Sequence, residues 1–274
     1  MDSPSRRNFL KDLGLGIAAI PAAERAQAAQ LPGAPPSSGT DSQASHPANI
    51  MAIAAHPGDA FFAMGAAVAL QVHLGGQGVF LSLSLGGRGS AKIAPPEYSV
   101  LQQQSAERAA QMLGARAEFL TYPDGEVPDN EEVKLRVCDL IREHKSDIIV
   151  THWQGTWHKD HKACYNVVND AVFYASLPAL ARAQPAHPVK KVFFNDNWED
   201  ANGFLADTYL DITPVFDRWM EACAVFPMWR GENGFRYNDY YRSLAVGRGC
   251  LSNSQYAIAL MSSPDQFVRH VHSL

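Results

Sequence analysis

The stretch 49–59, with the sequence NIMAIAAHPGD, constrains the fold of this chain more than any other. Residues 50–55 are apolar or small and carry no charge, which is typical of a parallel strand buried on both faces. His56 and Asp59 follow at once, and the apolar run after them predicts a helix. Polar side chains just past the carboxyl end of a central strand lie where open α/β sheets bind their ligands. The stretch therefore predicts an α/β fold together with the edge at which it binds a ligand.

The same stretch supplies two residues of the kind that bind a divalent metal. His56 and Asp59 are three positions apart, so both side chains can face one pocket. A metal that takes mixed nitrogen and oxygen ligands needs a third ligand from elsewhere in the chain. His161 is the candidate, because it follows the predicted strand 147–151, whose carboxyl end opens on the same side of a parallel sheet. The alternative is an ordinary Pro-Gly-Asp turn in which Asp59 only caps the next helix.

The rest of the chain alternates strands and helices. The predicted strands cover residues 50–55, 79–84, 117–120, 147–151, 191–194, 208–212 and 255–260. The predicted helices cover residues 60–74, 100–113, 131–144, 160–176, 213–225 and 238–246. Alternation of this kind produces right-handed βαβ units. We therefore expect a single α/β domain over residues 49–274, with a largely parallel sheet and helices on both of its faces.

The amino-terminal region is predicted to direct export and not to belong to the fold. Residues 5–11, SRRNFLK, resemble a twin-arginine signal, and Ala26-Gln27-Ala28 has the small-x-small form of a cleavage site. The apolar run between them is shorter than the roughly 20 residues that span a bilayer. Residues 29–48 are rich in Pro, Ser, Gly, Ala and Gln, and predict a flexible linker. We expect cleavage after residue 28 and a periplasmic or secreted protein with no membrane span.

The net charge and the absence of one motif argue against three classes of ligand. The formal net charge of −5 gives no support to binding of nucleic acid or of an anionic membrane surface. No GxGxxG sequence follows the first predicted strand, which argues against a dinucleotide-binding protein. These observations favour a small-molecule substrate.

Four segments in this order resemble motifs of the PIG-L/LmbE-like family of zinc-dependent N-acetylglucosamine de-N-acetylases. They read AHPGDA at 55–60, LGGRGS at 85–90, FLTYPDG at 119–125 and HKDH at 158–161. The resemblance extends from about residue 49 to about residue 260. It implies a Rossmann-like fold, zinc or another divalent metal as cofactor, and hydrolysis of the amide of an amino-sugar-type substrate.

The resemblance also implies roles for individual residues. His161 becomes the third metal ligand beside His56 and Asp59. His158 becomes the group that stabilises the oxyanion and protonates the leaving amine. Asp160 becomes a partner that orients a histidine and raises its basicity.

Two loop residues are candidates for substrate binding. Asp124 lies in a Tyr-Pro-Asp-Gly turn, which by the resemblance borders the sugar site. Arg88 lies on a glycine-flanked loop after a predicted strand and can contact the substrate from there. A functionless turn and a solvated arginine are the alternatives. His152, near the end of the strand 147–151, is predicted to line the pocket at best.

The sequence departs from the family pattern at three carboxylates. Gly58 stands where the family has its general-base aspartate, and Ala60 and Gly87 stand where it has glutamates. Glycine cannot accept a proton, and loss of a general base typically costs ~10²–10⁴-fold in rate. A substitute base is one solution, with Asp124 and Asp160 as the first candidates.

Two functions are therefore compatible with the sequence. The first is a metal-dependent hydrolase that removes an acyl group from an N-acyl amino sugar or a related conjugate, with activity reduced by the glycine at position 58. The second is a metal-binding, catalytically impaired module that binds carbohydrate. His158 favours the hydrolase, because a binding module needs no acid at that position.

Overall fold

The computed structural model describes residues 47–264. The predicted export signal at 1–28 and most of the predicted linker at 29–48 lie outside the described residues. Within the described part of the chain, no helix combines the length and the apolar character that crossing a membrane requires.

One seven-stranded sheet organises the described residues. Its strands are β1 Ile50–Ala54, β2 Gly78–Ser84, β3 Arg116–Tyr122, β4 Ile148–Thr151, β5 Lys191–Asn195, β6 Thr208–Asp211 and β7 Ala257–Ser262. Their order across the sheet is β3-β2-β1-β4-β5-β7-β6. Strands β1 to β5 pair in parallel, whereas β7 is antiparallel to both β5 and β6. The predicted largely parallel sheet is confirmed, with an antiparallel edge that the alternating pattern did not predict.

Helices cover both faces of this sheet, as predicted. The α-helices among the described residues are α1 Pro57–Phe62, α2 Gly65–His73, α3 Pro95–Leu113, α4 Glu131–Glu143, α5 Lys159–Ser176, α6 Phe216–Cys223 and α7 Tyr237–Ser252. Alternate residues of β1 enter opposite apolar cores, with Ala52 on one side and Ile53 on the other. The first core packs against α1, α2, α3, α6 and α7, and the second against α4 and α5.

The helix predicted over 60–74 is in fact two helices. The indole Nε1–H of Trp219 donates to the backbone oxygen of Phe61 at 2.8 Å. That oxygen would otherwise accept from the amide of Gly65 within one continuous helix. Gly65 itself packs so closely that a Cβ there would lie 3.1 Å from the Trp219 ring. A buried side chain from α6 therefore ends α1 and sets the start of α2.

Two further helices are longer than predicted, each because a residue that usually breaks helices is tolerated. Helix α3 begins at Pro95 and not at residue 100, since proline is favoured in a first helical turn. Helix α7 continues past Gly249, where a Cβ would lie 2.6 Å from the backbone oxygen of Gln255. It ends at Asn253, which has a left-handed backbone with φ +58°.

Candidate metal centre and active site

The candidate site lies at the carboxyl edge of the sheet between β1 and β4. From this pair the strand order proceeds in opposite directions, to β2 on one side and to β5 on the other. Such a switch in strand order leaves a crevice where open α/β sheets bind ligands. A cavity of about 330 Å³ opens there, and its walls include His56, Asp59, Arg88, Asp124, His158, His161 and Glu199. The sequence motifs, far apart along the chain, therefore meet at one place.

The three predicted metal ligands lie together. The Oδ2 atom of Asp59 is 2.9 Å from Nδ1 of His56 and 3.2 Å from Nε2 of His161. Ligand atoms bound at 2.0–2.2 Å to one tetrahedral metal lie about 3.3–3.6 Å apart. Both measured distances are shorter than this range, so the side chains would have to move slightly apart around a shared ion. The mixed nitrogen and oxygen chemistry suits a divalent metal, and the trio stays a prediction.

Other donor sets overlap with this trio. Three sets have donor atoms that all lie within 4.8 Å of one another: His56–His158–His161, Asp59–His152–His161 and His56–Asp124–Asp160. The predicted trio is not one of them, but it shares two residues with each of the first two. Several donors in these sets are already engaged by backbone amides, including Nδ1 of His158 and Nε2 of His152. Both ring nitrogens of His152 are engaged, which disfavours the set that contains it, whereas Nε2 of His158 stays available beside the predicted trio.

Electrostatic attraction holds the side chains of the trio together. Burial alone would lower the pKa of His161, but the carboxylates of Asp59 and Asp200 outweigh it and raise that pKa to about 10. Burial would likewise raise the pKa of Asp59, but His161 and His56 hold it well below its usual range. The trio is therefore a charge-paired cluster of donors that faces the cavity.

Asp200, which sequence reasoning missed, positions His161. It lies in the short 3-10 turn Trp198–Asp200 just after β5, and its side chain is fully buried. Its Oδ1 lies 2.8 Å from Nδ1 of His161, and its Oδ2 lies 2.8 Å from Nδ1 of His152. A carboxylate on Nδ1 of a histidine fixes the ring and directs Nε2 outward as a ligand. The rule that singled out His56 points to the segment after β5, but it does not separate Asp200 from Asp196, which directly follows the strand.

His152, for which pocket lining was the most that the sequence indicated, does not line the cavity. It is fully buried, and its ring stacks on that of His161 with centroids 3.9 Å apart. The amide of Ala55 donates to its Nε2 at 3.1 Å, so Nδ1 carries the proton and donates to Asp200. The sequence placed His152 at the correct strand end, but the ring lies behind His161 and supports it.

His158 combines two functions at the start of α5. Its Nδ1 accepts from the amide of Asp160 at 3.2 Å and so caps the helix. In the neutral ring, Nε2 therefore carries the proton. Burial, reinforced by the neighbouring His161 and His56, lowers the pKa of His158 to about 4. The residue thus presents a neutral N–H donor beside the metal cluster.

The two predicted substitute bases, Asp160 and Asp124, are engaged elsewhere. Asp160 is fully buried and accepts from the amides of Gly125 at 2.7 Å and Val127 at 3.3 Å. It also lies 3.3 Å from Nε2 of His56, so the histidine it contacts is a predicted metal ligand. Asp124 lies 3.1 Å from the same His56 nitrogen and accepts from the amide of Arg88 at 2.7 Å. Both carboxylates therefore orient His56 and its surrounding loops.

Arg88 lies on the cavity wall, as a substrate-contacting residue should. Its guanidinium donates to the backbone oxygen of Asp124 and to Oε1 of Glu126, the latter at 2.7 Å. These bonds fasten the glycine-rich loop after β2 to the turn after β3. The side chain remains more than half exposed, so it can also face a ligand.

Glu199 is a second residue that sequence reasoning missed. Its carboxylate lines the cavity, is 14% exposed, and lies 4.0 Å from Nε2 of His161. Burial and the nearby Asp59 raise the pKa of Glu199 to about 7. Among the described residues, no side-chain hydrogen bond engages this carboxylate, unlike those of Asp124, Asp160 and Asp200. It is therefore the carboxylate of the cavity that remains free to act on a ligand.

Gly58 opens the cavity floor. Its φ is not in the left-handed region, so the backbone does not require glycine there. A Cβ at this position would lie 3.2 Å from Sδ of Met228 and 3.3 Å from the Phe62 ring. Any cost of a side chain at position 58 therefore comes from packing, and not from the positive φ that was considered at the sequence level.

Comparison with known proteins finds a family model that matches part of the chain. Residues 51–172 match the model of the family PIG-L, described as GlcNAc-PI de-N-acetylase. The 4-oxalmesaconate hydratase of Pseudomonas putida is 24% identical over 208 residues, which cover 73% of this chain and 79% of the hydratase. One protein that is similar in sequence is thus named for a reaction other than deacetylation.

Solved structures share the fold. The 4-carboxy-2-hydroxymuconate hydratase GalB of Pseudomonas putida has a TM-score of 0.74 at 22% identity, covering 83% of this chain and 99% of GalB. The N,N′-diacetylchitobiose deacetylase of Pyrococcus horikoshii has a TM-score of 0.67 at 18% identity, covering 80% of this chain and 85% of the deacetylase. These relatives are named as enzymes, so they give no support to a catalytically silent module.

Proposed function

Because this chain carries a PIG-L family domain, we propose that it is a metal-dependent hydrolase that removes an acyl group from an N-acyl amino sugar or a related conjugate. The observation that carries the proposal is the mixed donor trio of His56, Asp59 and His161 beside a cavity that also holds His158. Hydrolysis of an amide needs an electrophile, a proton donor and a proton acceptor. The described residues supply a candidate for each.

The trio would hold the metal, for which the family resemblance suggests zinc. When bound, such an ion polarises a carbonyl group and lowers the pKa of water to roughly 7. Asp200 keeps Nε2 of His161 directed at the cavity, and Asp124 and Asp160 brace His56 from the other side. The protein thus holds its donors in place through buried carboxylates.

His158 is the proposed hydrogen-bond donor to the developing oxyanion. Its ring lies close to parallel to that of His161 with centroids 4.4 Å apart, and its Nε2 carries the hydrogen. As water attacks the acyl carbon, this N–H can donate to the oxygen on which negative charge develops. The neutral ring keeps its hydrogen, so the leaving nitrogen takes the proton that the base removes from water as the carbon–nitrogen bond breaks.

Glu199 is the proposed proton acceptor, in place of Asp124 and Asp160. Those two carboxylates are already engaged by backbone amides and by His56, whereas Glu199 faces the cavity without a hydrogen-bond partner among the described residues. It would take one proton from the attacking water, whose oxygen bonds to the acyl carbon. The products are a carboxylic acid and the free amine, which balances the reaction.

Release of acetate tests the proposal. Zinc-reconstituted protein is incubated with N-acetylglucosamine or N,N′-diacetylchitobiose, and free acetate and free amine are both measured. We expect equal amounts of the two products, and loss of both in His161→Ala or after chelation. Fully metallated protein that releases no acetate from either compound would refute the proposal.

Hydration of a carbon–carbon double bond in an unsaturated carboxylate is a second candidate. It is favoured by the 24% identity to 4-oxalmesaconate hydratase. The same preparation is therefore also incubated with 4-oxalmesaconate, and loss of the conjugated absorbance is followed. Hydration without acetate release in the first assay would replace the hydrolase with this candidate.

A further inference from the structure

A row of aromatic side chains begins beside the catalytic cavity. The ring of Trp157 lies 5.6 Å from that of His158 and 6.1 Å from that of Trp198. Trp198 stacks on Phe235, with centroids 4.8 Å apart and planes 15° apart. Phe235 in turn contacts Tyr237, which lines the cavity. We call Trp157, Trp198 and Phe235 the aromatic shelf.

The outer member of the shelf faces solvent. Trp157 is 69% exposed, although an indole is among the side chains that gain most from burial, at ~25 cal/mol per Å². Exposed aromatic surface beside a functional cavity is typical of a ligand-binding surface. Its position next to His158 makes the cavity and the shelf continuous.

The loop that carries Trp157 is held in place before any ligand arrives. Nε1 of Trp153 donates to the backbone oxygen of Asn202 at 2.9 Å, and the amide of Asn202 donates to the oxygen of Gly155 at 3.0 Å. The two loops approach so closely that a Cβ on Gly155 would lie 1.7 Å from that Asn202 oxygen. This bracing holds the backbone two residues before Trp157, which lowers the cost of ordering the loop when a ligand binds.

We propose that the aromatic shelf binds a second sugar ring of the substrate, next to the residue whose acyl group is removed. The inference rests on the proposed deacylase function and names its substrate class as an oligosaccharide or a glycoconjugate. The cavity of about 330 Å³ is near the lower end of the 300–1,000 Å³ common for ligand pockets, so it suits one sugar unit. A further unit must leave through the mouth, which the shelf borders.

The chemistry of the shelf suits a sugar ring. The C–H groups on a pyranose face are apolar and flat enough to pack on an indole, while the hydroxyls at its rim stay in water. A flexible acyl chain gains most in an enclosed groove, and Trp157 is open to solvent on its outer side. The open, ring-lined surface therefore favours a saccharide over a long acyl chain.

The test measures binding and not turnover. Calorimetry on zinc-reconstituted protein compares N-acetylglucosamine with N,N′-diacetylchitobiose, in the parent and in Trp157→Ala. We expect Trp157→Ala to weaken disaccharide binding by about 5–10-fold, the scale of one aromatic contact, and to leave monosaccharide binding nearly unchanged. The matched control is Phe173→Ala. Phe173 is an aromatic residue of similar exposure, 58%, near the far end of α5, ~20 Å from Trp157.

The outcomes separate the proposal for the aromatic shelf from the proposed hydrolase function. Equal disaccharide affinity in the parent and Trp157→Ala overturns the shelf, as does a parent that binds neither saccharide. A loss in Trp157→Ala that appears only with N-octanoylglucosamine would assign the shelf to an acyl chain and also overturn it. Disaccharide binding that depends on Trp157, without acetate release, supports the shelf while refuting the hydrolase.

Discussion

At the scale of single residues, the cavity holds a glycine where the resemblance implies an acid. The position between two predicted ligands is Gly58, while Glu199, on the turn after β5, lines the same cavity. Position 58 therefore offers no carboxylate to this cavity, and Glu199 does. Substitutions at the two positions, alone and combined, can therefore test which one supplies the proton acceptor.

Glu199→Gln should slow amide hydrolysis by ~10²–10⁴-fold, because the amide keeps the shape of the side chain but cannot accept the proton. Zinc content and KM should stay near those of the parent. Rates and metal stoichiometry are measured together, with Glu221→Gln, an exposed glutamate on α6, as the matched control. Parent-like turnover in a fully metallated Glu199→Gln protein would remove Glu199 from the mechanism.

Gly58→Asp should raise the rate of the Glu199→Gln variant by ~10-fold or more, because it restores a carboxylate next to the predicted ligands. The new side chain must displace the flexible end of Met228, so we also expect a lower melting temperature. Steady-state rate and thermal melting are read on the same samples. A metallated double variant no faster than Glu199→Gln would show that a base at position 58 cannot serve this cavity.

Asp200→Asn should weaken zinc binding by ~10–100-fold, the usual effect of removing a carboxylate behind a metal-binding histidine. The asparagine cannot accept from both His152 and His161 as strongly as the carboxylate does. Competition with a chromogenic chelator measures the affinity. Asp211→Asn, an exposed acid at the end of β6, is the control, and equal affinity in the two variants would count against the positioning role.

At the scale of elements, the amino ends of three parallel strands are joined by Asp147. Its side chain accepts from the amide of Asn49, before β1, at 3.0 Å and pairs with Lys190, before β5, at 2.8 Å. Burial would raise the pKa of Asp147, but Lys190 and the Asn49 amide outweigh it and lower that pKa. This contact lies at the opposite end of the strands from the site.

Asp147→Asn should therefore reduce stability in a pH-dependent way. A carboxyl with a lowered folded pKa stabilises the fold above its unfolded pKa of ~3.9, and this contribution disappears as pH falls through the folded value. We expect the variant to be less stable by about 1–2 kcal/mol near neutral pH, and the gap to shrink in acid. Urea unfolding over a pH series measures it. A gap that does not change with pH would contradict this account.

Strand positions were predictable, but the full site was not. The apolar run before His56 placed β1 and the edge of the sheet at which the cavity lies, because a buried parallel strand has a strong local signal. The antiparallel return of β7 and the packing of Trp219 against α1 depend on contacts between distant residues, which leave no local pattern. The same holds for Asp200, whose role requires His161 to lie beside it in space.

At the scale of the whole molecule, the predicted export signal lies outside the described residues, and export remains a proposal. Replacing Arg6 and Arg7 together by lysine should retain the precursor in the cytoplasm, because the paired arginines define a twin-arginine signal. Fractionation followed by immunoblotting measures the periplasmic yield, with a Lys11→Arg variant as the control. An unchanged periplasmic yield in the double-lysine variant would contradict the assignment.

The turn after β5 has a consequence for where this chain can be divided. The segment that matches the family model ends at residue 172, yet Glu199 and Asp200 lie beyond it, in the turn that follows β5, and β5 must first pair with β4. A fragment cut at the family boundary would contain all three predicted ligands, but neither the carboxylate that aligns His161 nor the acid that faces the cavity. The complete site therefore forms only when β5 has paired with the rest of the sheet, and residues 51–172 alone would not reproduce it in another protein.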